Sequence, residues 1–263
     1  MNKKIIALIV SIISILIVGY FLFFHTSEKH LQANIVKEDN KQLANDVSNI
    51  ILPNENIDIS EPINDNNINE KINFEIVEKV INEKDCYGWL FIPDTNIDYI
   101  VMQGPEDDAL KYLNKTPYGD DSEMGSLFVH NLGDIKDDHI IIYGHSLKNH
   151  DLYFGPLSKF EKQSYAKQHP YAYFYTKDTV TRYKLYSVNN GFETDFIYYT
   201  PYIKGTSDWT YLLDNIDTTS VVKLQDKYNP NKNMLVLSTC NGKDVSAPNR
   251  LYLIYEKDIE ETY

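Results

Sequence analysis

From Tyr87 onward, apolar residues recur either at every second position or in brief continuous runs: Tyr87 to Ile92, Ile97 to Gln103, Ser126 to Asn131, His139 to Tyr143, Tyr171 to Tyr175, Val180 to Val188, Met234 to Thr239 and Leu251 to Tyr255. Each run is rich in Val, Ile, Tyr or Phe and is bounded by Pro, Gly, Asn or Asp, the pattern of half-buried or buried strands. Eight strands in about 180 residues predict a mainly β domain, closed as a barrel or layered as a sandwich. Helical spacing occurs only between or before them. Phe74, Val77, Val80 and Ile81 share one face of a short helix ahead of the first strand, and Glu106 to Leu113, Tyr153 to Phe160 and Ser207 to Ile216 read as helical insertions. The last lies in the longest connection, before the strand that ends at Cys240.

The N-terminal pattern is different. Ile5 to Phe24 is 20 residues without a charge, long enough as a helix to cross a hydrocarbon core of about 30 Å. Lys3 and Lys4 precede it, so residues 1–25 predict a cytoplasmic tip and membrane anchor, with everything after His25 outside the cell. A cleaved signal peptide would show an apolar core of only ~7 to 15 residues and a small-residue cleavage site, but Phe21-Leu22-Phe23-Phe24-His25 follows instead. Residues 26–73 are rich in Asn, Asp and Glu, and Asn54 to Lys71 holds six asparagines and no aromatic residue. This predicts a flexible spacer with a reach on the order of 40 Å, interrupted by a short amphipathic helix at Leu43, Val47, Ile50 and Ile51. Residues 74–263 are the folded domain.

Composition narrows the function classes. Setting aside Lys3 and Lys4 leaves 23 basic against 38 acidic residues outside the membrane, a formal charge of −15 that repels nucleic acid and anionic lipid. Two cysteines, Cys86 and Cys240, stand in unlike contexts and make no disulfide framework; Cys86 reads as a packing residue. His139, His145 and His150 lack a metal-binding spacing, since His139 and His145 would stand roughly 20 Å apart on an extended strand. The 21 tyrosines suit half-buried strands whose hydroxyls reach water.

Three residues at strand ends carry candidate chemistry. Cys240 closes Val236-Leu237-Ser238-Thr239-Cys240, Arg250 opens the apolar run Leu251 to Tyr255, and His145 follows Ile140-Ile141-Ile142-Tyr143-Gly144. A thiol needs a neighbouring imidazole or cation to become a nucleophile at neutral pH. Guanidinium stays protonated, so Arg250 cannot be a base but can donate to an oxyanion, and the Asn241 backbone N–H is a natural second donor. The trio requires no cofactor and no metal.

These residues resemble the signatures of sortases, the cysteine transpeptidases of Gram-positive cell surfaces. Tyr143-Gly144-His145, Leu237-Ser238-Thr239-Cys240 and Arg250 carry the similarity, extended by Gly88-Trp89-Leu90-Phe91-Ile92-Pro93, Asn96 to Gln103 and Gly125-Ser126-Leu127-Phe128. The helix before the first strand and the helix-bearing connection from about Thr194 to Asn233 are similar to class B members. The resemblance implies a closed eight-stranded β-barrel. It implies that Cys240 cuts a C-terminal sorting signal after Thr, forms a thioacyl enzyme and passes the acyl group to a peptidoglycan amine. His145 would be the acid–base, Arg250 and the Asn241 N–H the oxyanion donors, and Leu113, Phe196, Ile197 and Ser238 the groove wall. Val236 stands where the family commonly has Thr, and His130-Asn131 where an acid is common; Asp244 is given no role. Two alternatives share the anchor and spacer: a pilin-polymerising sortase that uses a protein lysine, and a non-catalytic surface-binding module. An L,D-transpeptidase is disfavoured because no Ser-His-Gly-Cys-like run precedes Cys240.

Overall fold

The structure, a computed structural model, describes residues 3–47, 85–129, 137–146, 151–198, 202–240 and 249–262. The chain divides into a unit of residues 1–41 and a unit of residues 42–263. Helix α1, Lys3–Val47, supplies the described part of the first unit and runs into the start of the second. The expected membrane span, Ile5 to Phe24, falls wholly within α1. Among residues whose side chains are described, no helix is long and apolar enough to cross a membrane; most side chains from 3 to 24 lie outside that set.

The spacer expectation needs correction over 26–47, which is helical. Its Asn and Asp content suggests disorder, yet Leu, Gln, Ala, Lys and Glu recur and neither Gly nor Pro interrupts the segment, so helix propagation meets no strong breaker. Leu43 is buried among Trp89, Ile100, Met102, Tyr112, Phe128, Tyr173, Tyr175 and Val180. Ile50 and Ile51, the rest of the spacer and the helix expected at Phe74 to Ile81 lie outside the described residues.

The nine described strands are β1 Cys86–Phe91, β2 Asp98–Gln103, β3 Leu127–Val129, β4 His139–Tyr143, β5 Tyr171–Tyr175, β6 Thr179–Phe192, β7 Ser220–Lys223, β8 Met234–Cys240 and β9 Asn249–Thr262. The eight strands expected from the pattern form one closed ring in the order β5-β1-β2-β3-β4-β8-β9-β6, sealed by pairing of β6 with β5. β6 is long enough to serve two partners on one edge: residues 180–184 pair with β5 and residues 187–189 with β7. β7 was not expected, because of its four residues only Val222 is buried and a single buried side chain leaves no periodic signal.

Period two distributes the core. On β8, Met234 and Val236 join Ile141, Tyr186, Trp209, Leu212, Tyr252 and Ile254 in a cluster beneath the long connection. Leu235 and Leu237, which alternate with them, are equally buried on the other face. The connection carries the expected helix, α3, Ser207–Asn215, capped by Thr206, whose hydroxyl accepts from the Trp209 N–H at 3.2 Å. The helix expected over 106–113 is reduced to a 3₁₀ turn, Lys111–Leu113. Pro156 opens another such turn, Gly155–Glu161, followed by the short helix α2, Gln163–Gln168.

Candidate active site

β4 and β8 run parallel, with Tyr143 opposite Ser238. Each strand then advances two residues, to His145 and to Cys240, and the Gly144 N–H donates to the Ser238 carbonyl at 3.1 Å, so the two chains remain side by side past the last ladder pair. On the other edge of β8, antiparallel β9 places Arg250 directly opposite Cys240. Neighbouring strands are roughly 4.8 Å apart, so position 240 lies on the middle strand with the histidine-bearing and arginine-bearing chains on either side. The register thus brings His145, Cys240 and Arg250 to one end of the ring. The side chain of Cys240 and residues 241–248, Asn241 included, lie outside the described residues.

His145 is held on both sides. Its carbonyl accepts from the Phe154 N–H at 3.2 Å, and Ser146 bridges to Tyr153. Gly144 is required before it, because a Cβ there would strike the side chains of Leu127 and Phe154. The His145 Nε2 lies 2.8 Å from the Leu113 carbonyl oxygen. A carbonyl only accepts, so Nε2 carries hydrogen in this bond and Nδ1 is the nitrogen left to exchange a proton. Leu113 therefore contributes through its backbone. Its turn is fixed by Tyr112 and Lys111, which bond the Asp85 carboxylate at 3.0 and 2.8 Å, and by the Ser126 N–H donating to the Tyr112 carbonyl at 2.9 Å.

Arg250 is half-buried. Its Nη1 donates to the Asn249 carbonyl at 3.0 Å and its Nη2 pairs with Glu193 at 2.6 Å. Glu193 follows the end of β6, whose Gly191 lies opposite Arg250. Sequence reading missed this carboxylate, which stands 57 residues before its partner.

Behind these positions lies a tyrosine wall. The Tyr143 ring stacks on Phe128 at 5.6 Å and on Tyr198 at 6.4 Å, and Tyr198 meets Tyr252 edge-on at 5.9 Å. The hydroxyls of Tyr198 and Ser238 are hydrogen-bonded at 2.8 Å. Burial pushes the Tyr143 phenol up to about 12 against the opposing pull of the Arg250 charge. Burial raises Tyr198 further, and lifts Tyr252 to about 12 against a lowering bond to Thr219. All three stay neutral at physiological pH, so they pack and hydrogen-bond but cannot serve as bases.

The expected groove wall divides. Phe196 is half-buried, edge-on to Tyr211, and Leu113 is half-buried beside the histidine. Ile197 and Ser238 are each 1% exposed and belong to the packing, Ile197 with Trp209 and Tyr252 and Ser238 through its bond to Tyr198. Offering no surface to a ligand, they are better assigned to support of the wall than to its face. Cys86 packs at the edge of the cluster around Trp89. His139 is buried edge-on against Tyr202 at 5.3 Å, and His150 lies outside the described residues. Among the described residues no group of three or more His, Cys, Asp or Glu could hold a metal ion.

Residues 90–257 match the family model described as Sortase domain. Sortase B of Listeria monocytogenes is 28% identical over 177 residues, covering 66% of this chain and 70% of that protein. Sortase B of Staphylococcus aureus is 25% identical over 189 residues, covering 69% and 72%. Among solved structures, a Staphylococcus aureus sortase B–substrate complex matches with a TM-score of 0.62 and 25% identity, over 70% of this chain and 84% of that one. Clostridium perfringens sortase B shares the fold with a TM-score of 0.62 at 23% identity, over 71% of this chain and 100% of that one.

Proposed function

The chain is a class B-like member of the sortase family, the cysteine transpeptidases that anchor surface proteins, and from that premise we propose that Cys240, His145 and Arg250 carry the reaction. The observation that supports this reading is the register: three residue types suited to acyl transfer stand on adjacent chains at one end of the ring.

In the proposed sequence the Cys240 sulfur attacks the carbonyl carbon after the Thr of a sorting signal. The electron pair of the C=O bond moves onto oxygen, where Arg250 and the Asn241 N–H hold it. Collapse re-forms the C=O bond and breaks the C–N bond, and His145 Nδ1 gives the proton it has taken from the Cys240 thiol to the departing amine. A peptidoglycan amine then attacks the thioacyl carbon and loses a proton to His145, and the C–S bond breaks. One amide replaces another, so the bond-making and bond-breaking steps balance without a cofactor. A staphylococcal relative has been solved as a substrate complex, and in this reading the sorting peptide lies at the end of the ring that carries His145, Cys240 and Arg250. Leu113 and Phe196 would line that groove, backed by Ile197 and Ser238.

The uncharged run Ile5 to Phe24 within α1 supports a single-pass anchor with the N-terminus in the cytoplasm and the catalytic domain outside. Cargo and acceptor amines would then meet the enzyme at the outer membrane face. The test is cleavage of a fluorogenic sorting-signal peptide library, followed by mass analysis of products with candidate amines. Cleavage after Thr and transfer to a peptidoglycan amine is the expected result. Transfer only to a protein lysine would replace this reading with pilus polymerisation, and no cleavage by the intact chain would overturn it.

A further inference from the structure

Resting on the catalytic reading of Arg250, we propose that Glu193 is a positioning residue that fixes the guanidinium plane for the oxyanion, through a turn built for that purpose at the end of β6.

A surface ion pair contributes little by itself, commonly 0 to about 1 kcal/mol, so the pairing distance does not make the case. The geometry around the carboxylate does. The Asp195 N–H donates to the Phe192 carbonyl at 3.0 Å, while the Phe192 N–H donates to the Asp195 Oδ2 at 2.9 Å. The turn 192–195 is therefore closed from both sides, with Glu193 in its second position. Gly191 makes the closure possible, since a Cβ at that residue would collide with the Asp195 carboxylate. The same Gly191 lies opposite Arg250 in the β6–β9 ladder, and Phe192 lies opposite Asn249. Glu193 thus leaves the ladder one residue past the pair that brackets Arg250.

The consequence for the guanidinium is a two-point hold. Nη1 is tied to the Asn249 carbonyl on its own strand, and Nη2 to Glu193 on the neighbouring one. Two donors fixed to separate elements define the plane of a rigid fork, which a long side chain with about 2 kcal/mol of rotamer entropy does not maintain unaided. Oxyanion donors act through preorganisation: they must already point to where charge develops, within about 2.7 to 3.1 Å. Loss of the hold should therefore lower the rate of the chemical step and leave ground-state peptide binding nearly unchanged.

The experiment compares wild type, Glu193→Ala, Glu193→Gln and Arg250→Ala on one sorting-signal peptide, with active sites titrated by a thiol-reactive peptide analogue. Glu193→Ala is expected to lower kcat about tenfold per titrated site, with KM within about twofold. Glu193→Gln, which keeps an acceptor oxygen, is expected to recover at least half of the wild-type kcat. A Glu193→Ala kcat within twofold of wild type, a change confined to KM, or a Gln variant as slow as the Ala variant would overturn the proposal. A role limited to folding would reduce the titrated fraction without changing kcat per site, and that result also overturns it. The Arg250→Ala control separates the two readings: if that variant is fully active, the catalytic assignment of Arg250 fails, whatever the behaviour of Glu193.

Discussion

The ribbon β4–β8–β9 sets two trios in register, one at each end. At one end are His145, Cys240 and Arg250; at the other, His139 lies opposite Met234, and Met234 opposite Glu256. Both trios contain a histidine from β4 or the two residues after it, a sulfur-bearing residue on β8 and a charged residue on β9. At the second end the charges are consumed internally. Glu256 is 7% exposed, accepts from the Asn229 N–H at 2.8 Å and lies 3.7 Å from Lys232. His139 is fully enclosed, and burial pushes its pKa down to about 3. A thioether cannot ionise, and an imidazole that stays neutral throughout the physiological range cannot shuttle protons. Register supplies proximity at both ends, but the first end brings together a thiol-bearing residue and a histidine whose Nε2 is anchored on the Leu113 carbonyl, the pairing on which the proposed chemistry rests.

The largest break in the comparison is at the sulfur. Cys240→Ala is expected to abolish cleavage of a fluorogenic sorting peptide while the thermal midpoint stays within a few degrees of wild type. Retained cleavage would remove Cys240 from its role. Next come the flanking residues. His145→Ala and Arg250→Ala should each reduce kcat/KM by at least ~10²-fold, the scale of one acid–base group or one oxyanion donor. His139→Leu, at the opposite end, should leave kcat/KM within about twofold.

His139 sharpens the contrast through stability. Its folded pKa lies near 3, below the usual histidine value, so between about 6.5 and 3 the unfolded chain binds a proton that the native state refuses. Stability contributed by this group is therefore present above pH ~6.5 and is lost as pH falls, by about 1.4 kcal/mol per pH unit within that window. Urea unfolding at pH 6, 5 and 4 should show a steeper loss of stability in wild type than in His139→Leu, the difference approaching that slope. An identical slope in both would assign the acid sensitivity to other groups.

Much of this arrangement could be read from residue order. All eight ring strands announced themselves by period or apolar run because each buries at least one continuous face. The convergence of positions 145, 240 and 250 at one end of the ring was legible because strand ends are marked by abrupt changes of residue type, as at Gly144-His145 and at Thr239-Cys240. What remained hidden has physical reasons. β7 buries only Val222, too little to leave a pattern. Residues 26–47 carry Asn and Asp typical of disorder, yet lack the Gly and Pro that would stop α1. The Leu113 carbonyl belongs to every residue type alike, so no side-chain motif could flag it as the histidine's anchor. Glu193 becomes significant only once β6 and β9 are aligned. Ser238 and Ile197, expected on the face of a groove, are closed off by packing across the long connection, Ser238 against Tyr198 and Ile197 among Trp209 and Tyr252.

The smallest expected effect tests that wall. Tyr198 bonds the Ser238 hydroxyl at 2.8 Å, two positions before Cys240 on the same strand. Tyr198→Phe removes one hydrogen bond and leaves the Ser238 hydroxyl to find another partner, a loss of about 1 kcal/mol in stability. Because burial holds the phenol neutral, its removal takes no base from the reaction, and the pH dependence of kcat/KM should superimpose on that of wild type. A displaced acidic or basic limb would mean that the tyrosine hydroxyl reaches the reacting groups, and the wall would then belong to the chemistry as well as to its support.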